Sequence, residues 1–383
     1  MTTPSTSLAA ACLLAALATT TPAQPPKPPQ TVFVGYLYGA PAGVDYSLYT
    51  HICHAFVTAD ADGRIRPNPR VPDRNLTAAA HQAGCRVLLS LGGWGWDQQF
   101  AAIVQSPEAE DRYVRDVLHL VDSFDYDGID LDWEYPDSDT EIPGFERLAS
   151  RLRTGLDQIA SRKGRHLELT MAVAAGPWAL RWLRPDFMTK TFDWLNVMTY
   201  DMAGAWTPYA GHNAPLFPSS RQPQGPPLSV QSTFDYLLNQ QKYPPSKLAL
   251  GIPLYGRGFA VDQPYASTQN APQRRLPNGD YKNLAQLATQ GWTRLWDDET
   301  QVPWLIAPDR SAVFGYDDAQ SVALKARFAR DHHLRGVFFW QIHGDRLPDG
   351  STPLQAAARH ALFNTPSSTP SNPPASPPPS QNP

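Results

Sequence analysis

Eight short runs of the 383-residue chain are dominated by β-branched, aromatic and other apolar residues, and most are followed by a segment long enough for a helix. They predict strands at Val32–Tyr36, His51–Phe56, Arg86–Leu91, Gly128–Trp133, Leu167–Val173, Trp194–Thr199, Leu248–Pro253 and Gly336–Trp340. Helical periodicity falls between them, as at Glu108–Ser123, Ile142–Ser161 and Ser321–His332. Runs such as Val87-Leu-Leu-Ser-Leu91 and Gly336-Val-Phe-Phe-Trp340 are apolar almost throughout, which suits parallel strands covered on both faces. Eight β-then-α units predict an α/β chain folded as a (β/α)8 TIM barrel over residues 31–363, with function at the C-terminal ends of the strands. The rhythm breaks at 259–312, a polar stretch containing Pro and Trp, which predicts a small α+β insertion between strands seven and eight.

The flanks differ from this core. Residues 1–24 carry no charged side chain, and the apolar run Leu8–Ala18 is too short to span a bilayer, for which about 20 residues are needed. Thr21-Pro-Ala23 supplies small residues after it, so 1–23 reads as a signal peptide and the product as secreted, extracellular or periplasmic, with no membrane association once the leader is removed. A Pro-rich spacer follows at 24–30, and 364–383 is an extended tail rich in Pro, Ser, Thr and Asn. With 42% hydrophobic residues, 11% aromatic residues and a net charge of −4, the chain can bury a large core and shows no basic footprint for nucleic acid. A neutral substrate and a monomer fit this balance. Past the leader only Cys53 and Cys85 remain; both lie in apolar segments and read as buried free thiols.

Candidate chemistry sits at the end of the fourth strand. Alternation puts Asp130, Asp132 and Glu134 on one face and Ile129, Leu131 and Trp133 on the other, so the carboxyls face the barrel interior near its mouth. Burial and mutual repulsion raise carboxyl pKa values, which is how a Glu stays protonated near neutral pH and serves as a general acid. Taken alone, Asp-x-Asp-x-Glu also fits solvated strand-end carboxylates or a divalent-metal site. No His/Cys/Asp cluster at ligand spacing accompanies it, so neither a metal nor a cofactor is expected.

The run Asp127-Gly-Ile-Asp-Leu-Asp-Trp-Glu-Tyr-Pro136 resembles the signature of family 18 glycoside hydrolases, the chitinase family. Ser90-Leu-Gly-Gly-Trp94, Met198-Thr-Tyr-Asp201, Gly251-Ile-Pro-Leu-Tyr-Gly-Arg257 and Trp340 are similar to that family's motifs at strands three, six, seven and eight. Trp296-Asp-Asp-Glu299 and Pro303-Trp304 resemble the α+β insertion of its deep-cleft subgroup. The resemblance implies retaining, substrate-assisted hydrolysis of chitin or chito-oligosaccharides, an exception to the two-carboxylate scheme. Glu134 would be the acid and then the base, Asp132 would orient the 2-acetamido group, Asp130 would share a proton with Asp132, and Tyr200 would bond the acetamido oxygen. Substrate-binding roles would fall to Asp201, Arg257, Met198 and Tyr255, and to Trp340 as the floor of the subsite where the sugar is distorted. An endo-β-N-acetylglucosaminidase or cell-wall glycan hydrolase with the same chemistry is the alternative; a non-catalytic lectin is disfavoured by the presence of Glu134.

A pyranose has apolar faces, so aromatic platforms are expected along the cleft: Trp94, and further Trp206, Tyr36 and Phe56, each of which could instead be core. Gly92 and Gly93 lack phosphate-loop spacing and read as room for close backbone approach, with Ser90 bonding Asp130 and Asp127 supporting the motif. His51, His54, His212 and His343 are scattered singly and read as structural or surface residues, and Tyr135 and Trp133 as packing or motif-supporting residues.

Overall fold

The computed structural model describes residues 31–272 and 276–364. The predicted leader and spacer, and the tail beyond Asn364, lie outside the described residues.

Eight parallel strands close into a barrel: β1 (Val32–Tyr38), β2 (His51–Val57), β3 (Arg86–Gly92), β4 (Gly128–Asp132), β5 (Glu168–Ala174), β6 (Trp194–Met198), β7 (Leu248–Pro253) and, after an insertion, β12 (Gly336–Trp340), which pairs with both β7 and β1. All eight predicted strands are present, each end within two residues of its expected position. Helices at Pro107–Ser123, Ile142–Lys163 and Ala319–Asp331 fall in the intervals read as helical. The first is started by Ser106, whose side chain accepts from Ala109 N ahead of Pro107 at the first turn.

The alternating pattern sorts the strands into two cores. Outward residues such as Ile129, Leu131 and Trp133 join one continuous cluster under the helices, where Trp133 stacks on Phe100 at 5.2 Å and donates to Asp97 at 2.9 Å. Inward residues Val32, Val34, Tyr36, Cys53, Leu88, Ala172, Trp194, Met198, Ala249 and Phe338 fill the barrel. At its N-terminal end His51 and Arg86 meet the buried Glu168 at 3.0 and 2.9 Å, beside Trp194. Cys53 and Cys85 are free and buried, as expected.

Between β7 and β12 the chain forms a second, antiparallel sheet from β8 (Arg257–Phe259), β9 (Thr293–Asp297), β10 (Val302–Ile306) and β11 (Val313–Gly315), in the order β8-β11-β10-β9, with a helix at Tyr281–Thr289. Trp304 is its buried centre, 4.0 Å from the His212 ring, and Asp297 receives His212, Tyr265 and Arg221. A fully buried Lys325–Asp317 pair at 2.6 Å ties the sheet's last connection to the following helix. Among the described residues no helix is long and apolar enough to cross a membrane.

Candidate active site

Parallel pairing sets Ser90, Asp130 and Thr170 side by side across β3, β4 and β5. Asp130 is wholly buried and accepts four side-chain hydrogen bonds: from Tyr36 and Ser90 hydroxyls at 2.8 Å, from Thr170 at 2.6 Å and from Asn196 Nδ2 at 3.2 Å. Burial raises its pKa and these donors pull it back, leaving it above the ordinary value.

One layer nearer the mouth, Asp132 is also buried, and its Oδ1 has no hydrogen-bond partner among the described residues. Burial, then the charges of Glu134 and Asp130, push its pKa well up. Glu134 follows just past the strand. Burial raises it, the Tyr135 hydroxyl at 3.0 Å lowers it and the charge of Asp201 raises it, for a net value of about 7. A carboxyl in that range carries a transferable proton at neutral pH. Among the described residues no group of three His, Cys, Asp or Glu side chains is arranged to hold a metal ion.

Gly92 and Gly93 make this layering possible. Both have positive φ, +100° and +90°, and a Cβ at Gly92 would lie 2.5 Å from the Asp132 carbonyl, one at Gly93 2.8 Å from the Phe56 ring. Trp340 is partly exposed at the mouth, stacked on Phe56 at 5.7 Å and edge-on to Tyr36 at 5.7 Å, with Met198 in the same cluster. The peptide bonds Ala55–Phe56, Glu134–Tyr135 and Trp340–Gln341 are all cis.

Tyr200 lies partly buried at the end of β6, and Asp201 follows with φ +56°. The Asp201 carboxylate is occupied: Tyr255 OH donates at 2.7 Å and Arg257 at 2.8 and 2.7 Å, while its backbone N–H is held by Asn213 at 3.0 Å. The Arg257 guanidinium lies 5.2 Å from both the Trp206 and Tyr255 rings. Exposed aromatic residues stand around this end of the barrel: Trp94 at 81%, Trp206 at 60% and Trp178 at 54%.

Most predicted site residues therefore converge. Two need correction. Tyr36 is 1% exposed with its hydroxyl on Asp130, so it is an interior partner of the carboxylates and lines no cleft. Phe56 backs Trp340 and packs beside Tyr38, fixing the tryptophan's plane. Asp127 lies at the opposite, N-terminal end of β4, receiving His81 at 2.7 Å, Arg165 at 2.6 Å and Val87 N at 2.8 Å, and serves the barrel's base. Tyr135, expected as a packing or motif-supporting residue, bonds Glu134 directly. Thr170, Asn196 and Trp178 were not anticipated. For Asn196 the signal is present, a lone polar residue on the inward phase of an otherwise apolar strand, whereas Thr170 shares its inward phase with Glu168.

The sequence profile of glycosyl hydrolases family 18 matches residues 30–345. Chitinase 1 of Aphanocladium album is 27% identical over 358 residues, covering 86% of this chain and 82% of that protein. Chitinase B of Serratia marcescens is 27% identical over 365 residues, covering 77% and 73%. Among solved structures, a chitinase from Cycas revoluta in complex with (GlcNAc)4 superposes with a TM-score of 0.77 at 26% identity, covering 86% of this chain and 99% of that one.

Proposed function

From the premise that the chain belongs to glycosyl hydrolases family 18, we propose how its residues carry out the reaction. The protein is a glycoside hydrolase of the chitinase type, cleaving β-1,4 linkages between N-acetylglucosamine units. Glu134 protonates the glycosidic oxygen. The substrate's own 2-acetamido carbonyl oxygen attacks the anomeric carbon, giving an oxazolinium ion, and Glu134 then takes a proton from the water that opens it. Asp132 receives the acetamido N–H and balances the charge on the ring, and Tyr200 donates to the acetamido oxygen. Asp130 sets the proton balance of Asp132.

The observation that carries this reading is the layered set itself: a Glu poised at about 7 above a buried Asp whose Oδ1 is unpartnered, beside a partly exposed Trp340. The carboxylate next in charge influence on Glu134, Asp201, is engaged by Arg257 and Tyr255, which supports a nucleophile supplied by the substrate. Trp94 and Trp206 extend the platform for a polymer. Export follows in this reading from the apolar run Leu8–Ala18. The test is release of N,N′-diacetylchitobiose or longer oligomers from colloidal chitin. Glu134→Gln should abolish turnover while leaving oligosaccharide binding measurable; turnover equal to wild type would end the assignment.

A further inference from the structure

Among the described residues, Tyr135 supplies the hydroxyl that hydrogen-bonds the acid. Its OH lies 3.0 Å from Glu134 Oε2, and its ring is met edge-on by Trp178 at 5.2 Å and 85°. Trp178 comes from the short helical turn Pro177–Leu180 after β5 and is 54% exposed. Burial, then the charges of Glu134 and Asp132, hold the phenol well above its ordinary pKa, so it remains a donor throughout the working pH range. The other groups facing Glu134 are Asp132 on its own strand and Tyr200 and Asp201 beyond β6, the last of these paired with Arg257.

A carboxylic acid has one proton. Its carbonyl oxygen is the better acceptor of the two, so a phenol that donates to one oxygen favours the form with the proton on the other. We infer that Tyr135 is a positioning residue for hydrolysis: by bonding Glu134 Oε2 it leaves the transferable proton on Oε1, with Trp178 as the wall that keeps the phenol in place. This rests on Glu134 being the acid. In the first step the proton passes from Oε1 to the glycosidic oxygen, the C1–O bond breaks with its electron pair going to the leaving sugar, and Glu134 becomes a carboxylate. The Tyr135 bond is then charge-assisted. It therefore strengthens as the transition state forms, which is the kind of contact that raises kcat without altering KM.

The experiment uses the full-length enzyme and a defined chitin hexamer. Tyr135→Phe keeps the ring and its packing and should lower kcat about tenfold with KM within about twofold, as for loss of one hydrogen bond to a developing charge. It should also move the basic limb of kcat/KM to higher pH, because a donor that favoured the carboxylate is gone. Trp178→Ala should lower kcat in part, and Tyr135→Phe combined with Trp178→Ala should fall no further than Tyr135→Phe alone. Wild-type kcat in Tyr135→Phe, a fall in kcat with an unmoved basic limb, or additive losses in the double variant would each overturn the proposal. Failure of the underlying assignment reads out separately, as turnover that survives Glu134→Gln.

Discussion

The burial that arms Glu134 has a thermodynamic cost that can be measured without any substrate. Its pKa stands at about 7 against 4.5 for a free glutamate, chiefly through burial. Because the folded value lies above the unfolded one, the native state holds this proton more tightly. That contribution is complete below about pH 4.5 and is lost as pH rises through about 7. At roughly 1.4 kcal/mol per pH unit, the ionised Glu134 destabilises the folded enzyme by about 3 kcal/mol above neutrality. Glu134→Gln is a neutral isostere that escapes this. Unfolding entropy of about 2 cal/mol/K per residue over a chain of this length converts 3 kcal/mol into a Tm rise of roughly 4 °C. Calorimetry of both proteins from pH 4.5 to 8.5 should show coincident Tm values at the acid end and the variant above wild type at the alkaline end. Parallel curves across the whole range would refute the desolvation argument, and a variant that falls below wild type only towards the alkaline end would mean that a partner holds the carboxylate ionised.

Three further positions carry expected outcomes of their own. Asp127→Asn removes the negative charge and one of the two acceptor oxygens that hold His81, Arg165 and Val87 N at the base of the barrel; stability should drop by about 2–3 kcal/mol in denaturant titration while kcat and KM stay at wild-type values. Trp94→Ala, at a residue 81% exposed, should leave Tm unchanged and raise KM for chito-oligosaccharides roughly three- to tenfold. Trp206→Ala should also reduce kcat, because Arg257, which pairs with Asp201, packs 5.2 Å over that indole.

The barrel was legible because its strands carry two apolar phases, one for the helices and one for the interior. In β4 the outward residues Ile129 and Leu131 continue into Trp133, and after Gly128 the inward residues are Asp130 and Asp132, so the carboxylates mark the strand's inner face. The insertion was harder. Its strands Arg257–Phe259 and Val313–Gly315 have three residues each, too few to show a period of two, so only its composition marked it.

The site was misread where depth mattered. With β1 ended at Tyr36, that tyrosine stands at the mouth and looks like a sugar platform. The strand in fact runs to Tyr38, and side chains on one face recur every second residue, so two more residues of strand push Tyr36 a full layer down, to the level of Asp130. Asp127 shows the same dependence on depth: five residues before Asp132 in a segment rising about 3.3 Å per residue, it supports the far end of the barrel although the motif contains both. Depth is a property of register between strands, and one strand's sequence does not contain it. What a sequence does contain is the polar residue out of place. Asn196 stands between Trp194 and Met198 on the inward phase of β6, in a strand otherwise apolar, and it bonds Trp194, Tyr36 and Asp130 together. A buried amide needs partners on several sides. Its presence alone was therefore evidence that other polar groups meet it in the barrel interior, and Asp130 is the nearest charge it could serve.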